Sequence, residues 1–307
     1  MPIFIIIIIA LFVLSIAGGL FFATKAIYPN VLTLEETRID ELENNRYDEN
    51  EYNQWERKEF TLPSPFGYHI ACEYFPIKGA QKTVVITHGI TWSRYGSIKY
   101  MPMFRKRGFN ILIYDLRNHG ASGGKNTTFG LYEKFDLQVL VDWAFQQLDE
   151  NGKVGTLGES LGAATTLQHA AIDQRISFAI ADCPYSDLAQ LLAFRLKEDY
   201  HLPSFPLLGL SNFACKLLAN MTYRQVSPIA SIPEIAIPVF WIHGQDDEYI
   251  PPEMSQQMYD AKKIGVRRIY LAPNAAHAKS QINNPQEYDR QIGEFLVDLK
   301  LVEEIQG

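Results

Sequence analysis

The stretch GESLG at residues 158–162 lies between an apolar run and a run of small residues. The upstream run, VGTL at residues 154–157, is typical of the end of a buried strand, and the downstream run, AATTLQHAA at residues 163–171, is typical of a packed helix. A serine in a sharp strand-to-helix turn presents its hydroxyl, and the flanking glycines avoid collisions with the neighbouring strand and helix. The stretch therefore predicts a nucleophilic Ser160. The alternative is a serine that caps the helix N-terminus.

A nucleophilic serine makes two further demands on the chain. A histidine must take its proton, and that histidine needs a carboxylate to fix its tautomer. In this strand–turn–helix arrangement, the order along the chain is serine, acid, histidine. One apolar run leads into HGQDDEYIP at residues 243–251, and a later one leads into NAAH at residues 274–277. Both follow predicted strands at their carboxyl ends, where open α/β sheets place their sites. We therefore expect an acid among residues 246–248 and His277 as the base.

The other six histidines have structural interpretations. His88, His119 and His243 each stand beside a glycine at a predicted strand end, where they are expected to shape loops through backbone hydrogen bonds. The remaining three lie on an early strand, on the helix after the serine and in an insertion (His69, His169 and His201). Only His277 follows the acidic cluster in the chain.

Together these motifs resemble the α/β-hydrolase superfamily over roughly residues 60–307. HG at residues 88–89 resembles the family's oxyanion loop, and DLRNHGAS at residues 115–122 resembles its D-x-R-x-x-G-x-S turn. HGQDDEYIP is similar to the family pattern H-G-x-x-D-x-x-V-P with Asp247 in the acid position, and Asp246 is the alternative. Within the superfamily, the chain is most similar to small, membrane-anchored bacterial serine hydrolases.

The resemblance implies a triad of Ser160, Asp247 and His277 that acts through an acyl-enzyme. The oxyanion is expected to be bound by the backbone N–H of Leu161 and by that of Ile90, with Thr91 as the alternative. Losing one such donor typically costs about 2.7–4 kcal/mol of transition-state stabilisation. Hydrolysis of small-molecule carboxylic esters is the expected chemistry, with no cofactor and no metal. A peptidase, an acyltransferase or a thioesterase uses the same triad, and a non-catalytic binding protein on this fold is the alternative from another class.

The order of elements predicts an α/β fold with a mostly parallel twisted sheet flanked by helices. YHIACEYF at residues 68–75 is expected to form an antiparallel edge strand. About fifty residues, roughly 186–236, break the alternation and predict a small helical cap with helices near 188–197 and 207–219. The apolar residues of the cap favour apolar substrate groups or membrane contact, although every cap must also bury its own face.

The N-terminus is predicted to be a transmembrane helix. Residues 3–23 are almost wholly apolar and uncharged, and about 20 such residues span a bilayer. No basic residue precedes the run, it is too long for the core of a signal peptide, and no A-x-A site follows it. We expect residues 1–25 to be an uncleaved anchor in the cell membrane. Lys25 and Arg38 weakly favour a cytoplasmic catalytic domain, but long domains are translocated regardless of such charges, so the side stays open.

Residues 26–59 are predicted to be an acidic helical stem. TLEE at residues 33–36 predicts a capping box at the start of a polar helix. Residues 33–59 hold ten acids and four bases, a net charge of −6 in a chain whose net charge is −7. This excess predicts a solvated spacer and argues against binding of nucleic acid or anionic lipid. The three cysteines, an odd number without metal-ligand spacing, predict core residues rather than disulfides.

Overall fold

Eight strands form one sheet with helices on both of its faces. The computed structural model describes residues 2–303, so Met1 of the predicted anchor and residues 304–307 of the predicted catalytic domain lie outside the described residues. The strands are β1 (Lys58–Pro63), β2 (His69–Phe75), β3 (Lys82–Thr87), β4 (Asn110–Tyr114), β5 (Lys153–Glu159), β6 (Phe178–Asp182), β7 (Val239–Gly244) and β8 (Arg267–Ala272).

Twelve α-helices are found in the described part of the chain. They are α1 (Pro2–Ile27), α2 (Leu34–Glu43), α3 (Glu49–Gln54), α4 (Met101–Arg105), α5 (Glu133–Gln146), α6 (Leu161–Ala170), α7 (Leu188–Tyr200), α8 (Leu207–Ala219), α9 (Pro228–Ser231), α10 (Glu253–Ala261), α11 (Ser280–Asn283) and α12 (Pro285–Asp298). Short 3₁₀ helices cover Arg94–Tyr100, Tyr223–Gln225 and Ile232–Glu234.

The sheet has the strand order β1-β2-β4-β3-β5-β6-β7-β8. Strands β3 to β8 are parallel, and β1 and β2 are antiparallel to their neighbours. The predicted fold class is confirmed: a mostly parallel sheet flanked by helices, with a helical insertion between β6 and β7. The prediction that residues 68–75 form the edge strand was wrong, because β1 lies outside β2. Its sequence, KEFTLP, carries charges and buries no residue fully, so its apolar pattern is weak.

The central strands are buried on both faces because helices cover each face. Along β3, Val85 packs into one core with α5 and α6, whereas Val84 and Ile86 pack into the other core with α4 and α12. This alternation of side chains is the period of two expected for a strand, with apolar residues at every position because neither face meets water.

The cap consists mainly of α7 and α8, and α1 packs closely along α8. Gly18 and Gly19 allow the approach, since a Cβ on Gly19 would lie 2.4 Å from the Cβ of Leu210. One turn and two turns further on, Ala23 and Ile27 are fully buried in the core. Among the described helices, α1 is the one long and apolar enough to cross a membrane, judged by its length and composition over Ile3–Ile27.

The acidic segment after α1 is helical and begins with the predicted capping box at Thr33, but it does not stand away from the body as a spacer. Glu41 on α2 is buried and accepts a hydrogen bond from the indole of Trp92 at 2.6 Å. Tyr52 on α3 is buried and donates to Glu73 on β2 at 2.6 Å. The segment therefore lies against the sheet and the loop after β3.

A buried ion network joins this segment to the sheet. The guanidinium of Arg94 donates from Nε to Glu73 at 2.7 Å and from Nη1 to Asp115 at 2.5 Å. The Arg94 backbone N–H donates to the same Asp115 carboxylate at 2.7 Å. Asp115 begins the predicted D-x-R-x-x-G-x-S turn. The start of this turn is therefore held by Arg94, a cation from another segment of the chain.

We predict that Arg94→Met strongly destabilises the fold, because it leaves the buried carboxylates of Glu73 and Asp115 without their cation. Removing one partner of a buried ion pair costs about 3–5 kcal/mol. Urea unfolding of the full-length protein in detergent micelles measures the change. The control Arg290→Met breaks an exposed pair with Glu287 and is expected to change stability little. Equal losses in the two variants would contradict the importance of the network.

Candidate active site

Ser160 lies in a strained turn between β5 and α6. Its backbone angles are φ 53° and ψ −112°, a conformation that residues other than glycine rarely adopt. Gly158 and Gly162 make the turn possible: a Cβ on Gly158 would lie 2.1 Å from the carbonyl oxygen of Gly162, and a Cβ on Gly162 would lie 2.2 Å from that of Thr87. The Ser160 hydroxyl makes no capping hydrogen bond to α6, so the capping alternative does not describe it.

The structure brings the three predicted site residues together. The Oγ of Ser160 is 3.0 Å from Nε2 of His277, and Nδ1 of His277 is 2.7 Å from Oδ2 of Asp247. His277 lies in the loop after β8, and Asp247 lies in the loop after β7. Both loops leave the carboxyl edge of the sheet, so parallel strand direction places them beside the end of β5. Asp246, the alternative acid, is exposed.

The environment of Asp247 keeps its carboxylate ionised. Burial raises the pKa of a carboxyl group, but the hydrogen bonds and charges of His243 and His277 hold the pKa of Asp247 well below its usual range. Its Oδ1 also accepts the backbone N–H groups of Tyr249 and Ile250 at 2.9 and 2.8 Å. An ionised Asp247 fixes the Nδ1–H tautomer of His277 and leaves Nε2 free to accept a proton from Ser160.

His243 contacts the acid as well, and the sequence interpretation missed this. Its Nε2 is 3.1 Å from Oδ2 of Asp247 and 2.8 Å from the carbonyl oxygen of Ile250, while Nδ1 is 2.7 Å from the hydroxyl of Ser255. The imidazole of His243 therefore holds the loop that carries Asp247 and makes a second hydrogen bond to the Asp247 carboxylate. The H-G-x-x-D pattern could have indicated this contact, since it places His243 four residues before the acid.

The loop after β3 carries the predicted oxyanion donors. His88 holds this loop, with Nε2 accepting the Leu116 backbone N–H at 2.9 Å. The N–H of Thr91 donates to Nε2 of His119 at 3.2 Å, so that donor is already engaged. Among the described residues, no hydrogen-bond acceptor is found for the N–H of Ile90. Leu161 is the first residue of α6, where a backbone N–H has no partner within the helix.

An open cleft of about 430 Å³ exposes Ser160 and His277. It is lined by Glu41, Arg46, Gly89, Ile90, Thr91, Trp92, Lys99, Glu159, Ser160, Tyr249, His277, Ala278, Lys279 and Ile282. One wall is strongly charged. Glu159, the residue before the serine, forms a buried ion pair with Lys99 and accepts a hydrogen bond from the Tyr100 hydroxyl at 2.6 Å.

Residues of the acidic segment reach this cleft. Glu41 Oε1 accepts from Arg46 at 2.8 Å as well as from Trp92, whereas its buried Oε2 has no hydrogen-bond partner among the described residues. Lys279 lines the cleft nearby, and burial together with the charges of Arg46 and Lys99 lowers its pKa. The sequence did not indicate these groups, because a charged stretch gives no sign of which side chains fold inward.

Cys183 lies close to the catalytic candidates: one ligand atom each from Cys183, Asp247 and His277 lie within 4.8 Å of one another. Burial raises the pKa of the Cys183 thiol well above its usual value, so the residue is present as a protonated thiol and a poor metal ligand. Asp247 and His277 are already hydrogen-bonded to each other. All three cysteines are buried and free, as the sequence predicted.

Comparison with known proteins gives consistent results. The model of the X-Pro dipeptidyl-peptidase (S15) family matches residues 28–196. An uncharacterized protein of Bacillus subtilis, YqkD, is 41% identical over 239 residues, which are 77% of this chain and 78% of that protein. The esterase Pf2001 of Pyrococcus furiosus matches with a TM-score of 0.68 and 26% identity over 82% of this chain and 94% of that chain.

A more distant structure supports the fold alone. The acylaminoacyl peptidase of Pyrococcus horikoshii matches with a TM-score of 0.63 and 17% identity over 85% of this chain and 45% of that one. The chain therefore belongs to the X-Pro dipeptidyl-peptidase (S15) family and is a serine hydrolase of the α/β-hydrolase fold.

Proposed function

We propose that this protein hydrolyses carboxylic esters through an acyl-enzyme on Ser160, with His277 as general base and Asp247 as the group that orients it. The observation that carries the proposal is the continuous hydrogen-bonded chain from Ser160 Oγ through His277 to Asp247, with distances of 3.0 and 2.7 Å, opening into a cleft. A nucleophile in contact with a base that is itself held by a carboxylate is the arrangement that acyl transfer requires.

The reaction runs in two balanced halves. As the Oγ of Ser160 bonds to the ester carbonyl carbon, its proton moves to Nε2 of His277. The ester C–O bond then breaks, and the alcohol leaves with that proton. Water attacks the acyl-enzyme, gives its proton to His277 and releases the acid, while the proton on His277 returns to Ser160. Asp247 stays ionised and stabilises the imidazolium formed in each half.

The backbone N–H groups of Leu161 and Ile90 are proposed to bind the oxyanion. Support comes from the lack of other acceptors for these two N–H groups in the described part of the chain and from the hydrogen bond that engages Thr91. Backbone donors held by α6 and by the His88 loop need no reorganisation as the charge develops, which is why such donors are effective.

We also propose that α1 attaches the enzyme to the cell membrane. Its length and composition suffice for a span. Its packing supports retention in the mature protein: Ala23 and Ile27 are fully buried, and the carbonyl oxygen of Ile27 accepts the Thr127 N–H at 2.9 Å. Removal of α1 as a leader would uncover an apolar face of the body.

A second candidate is cleavage of dipeptides from peptide N-termini, the activity that the family's description names. The observation in its favour is the Oε2 of Glu41, a buried carboxylate oxygen beside the cleft that has no hydrogen-bond partner among the described residues and whose charge matches an α-ammonium group. Against it, Glu41 already pairs with Arg46, and Glu159 already pairs with Lys99. The esterase Pf2001, at 26% identity, also favours ester chemistry.

We predict that a fluorophosphonate forms one adduct with the full-length protein and that Ser160→Ala abolishes it, because the probe reacts with an activated serine. Intact-mass spectrometry measures the adduct. Ser97→Ala is the control, since the hydroxyl of this buried serine has no hydrogen-bond partner within residues 2–303 and the residue does not line the cleft. A folded wild-type protein without an adduct would point instead to a binding protein on this fold.

We predict that Asp247→Asn lowers kcat for an activated ester by about 10⁴-fold, because the amide favours the wrong tautomer of His277. Asp246→Asn is the matched control, as Asp246 is exposed and adjacent. Steady-state hydrolysis of p-nitrophenyl acetate measures both variants. Comparable losses at the two positions, or a loss only at Asp246, would refute the assignment of the acid.

Substrate comparison separates the two candidate functions. We predict that p-nitrophenyl butyrate is hydrolysed with a kcat/KM at least 100-fold above that for alanyl-prolyl-p-nitroanilide, and that Glu41→Gln leaves this order unchanged. Preferential cleavage of the anilide, lost in Glu41→Gln, would establish the dipeptidyl-peptidase instead.

A further inference from the structure

A second cavity, of about 250 Å³, lies between the cap and the end of the N-terminal helix. Its walls are mainly apolar: Phe22 and Ala26 come from α1, Leu192 from α7 and Leu208 from α8. Three charged residues stand at its rim: Arg195 pairs with Asp199 and donates to the Glu248 carbonyl at 2.8 Å, and Lys25 is exposed at the end of α1. The cavity therefore offers an occupant mainly apolar walls, with its charged groups at the rim.

This cavity adjoins the catalytic cleft. Ile90, Thr91 and Tyr249 line both spaces. Tyr249 also packs its ring against His277, with centroids 4.9 Å apart. Since Ile90 is a proposed oxyanion donor, the acyl carbon of a bound ester lies beside the wall that the two spaces share. A chain attached to that carbon has the second cavity next to it.

The depth of the cap relative to a bilayer follows from α1. Residues Ile3–Leu14 are exposed, whereas the cap covers part of the helix from Ser15 onward. These twelve free residues extend only about 18 Å at 1.5 Å per residue. A hydrocarbon core is about 30 Å thick. When α1 spans the bilayer, its segment that contacts α8 therefore lies within the bilayer. The cap packs on that segment, so part of the cap is embedded as well.

The outer surface of the cap fits this position. Phe213 and Leu217 on α8 are 62% and 71% exposed, and Phe205, just before α8, is 87% exposed. Phe205 stands two residues before Leu207, whose side chain is 2.9 Å from the Cβ position of Gly18. Large apolar side chains thus face outward at the level where α1 and the cap meet. Such a patch is costly in water and stable in lipid.

We propose that α1 is a wall of the substrate pocket as well as an anchor, and that the pocket takes the aliphatic acyl chain of a membrane lipid ester directly from the bilayer. This inference rests on the proposed ester hydrolase. The acyl chain enters between α1 and the cap and occupies the apolar cavity. The ester carbonyl lies at Ser160, and the polar remainder of the lipid lies in the charged cleft near Lys279.

The test uses full-length protein in phosphatidylcholine vesicles with two probes, p-nitrophenyl dodecanoate and p-nitrophenyl acetate. Ala26→Trp fills the cavity from α1 and is expected to lower the dodecanoate-to-acetate ratio of kcat/KM at least tenfold. Leu20→Trp, on the exposed side of the same helix, is expected to leave the ratio unchanged.

A second pair of variants guards against misfolding. Leu192→Trp fills the cavity from α7, and Gln190→Trp is its exposed control on that helix. An unchanged ratio in both filled variants, with the acetate still hydrolysed, overturns the pocket. A wild-type protein that hydrolyses neither ester overturns the proposed function instead.

Insertion of the cap is tested separately with a fluorophore. All three native cysteines are buried, so Phe213→Cys labelled with nitrobenzoxadiazole reports from the cap alone. Doxyl-labelled lipid is expected to quench this probe and to spare a probe on Lys78→Cys. Lys78 is exposed in the loop before β3, at the opposite edge of the sheet. Equal and weak quenching at both positions overturns entry from the bilayer.

Discussion

The geometry of the candidate active site depends on close backbone packing around Ser160. Gly158, Gly162 and the carbonyl of Thr87 stand so near one another that no Cβ fits between them. This contact presses the start of α6 against the ends of β3 and β5, and it forces Ser160 into its strained conformation. The loops after β7 and β8 leave the same edge of the sheet, and this direction is enough to bring Asp247 and His277 next to Ser160.

Charge is distributed around that turn in a specific way. On the side of His277, a single ionised carboxylate, Asp247, receives hydrogen bonds from two imidazoles. On the other side, Glu159 is neutralised by Lys99, so it adds no uncompensated negative charge next to Ser160. Burial makes both arrangements effective, because charges in a medium of low dielectric interact more strongly than in water.

Sequence reasoning worked where chemistry imposes a local pattern. Ser160 and His277 were predicted from short motifs in a fixed order, and Asp247 was chosen over Asp246 by resemblance to the family pattern. The structure places these three side chains together, and the alternation of apolar runs predicted the sheet. It failed where contacts are distant in the chain. The burial of Glu41 and Tyr52 leaves no periodicity in a charged segment, and the packing of α1 on α8 is invisible because both stretches are simply apolar.

The packing of α1 against α8 also constrains how the molecule is made. Gly18 and its contact Leu207 are separated by about 190 residues, so the ribosome has produced the first long before the second exists. In the membrane-anchored form that we propose, α8 must then pack against a helix that is already in the bilayer. Since chains generally fold in the order of their synthesis, the cap closes onto α1 only after α1 has entered the lipid.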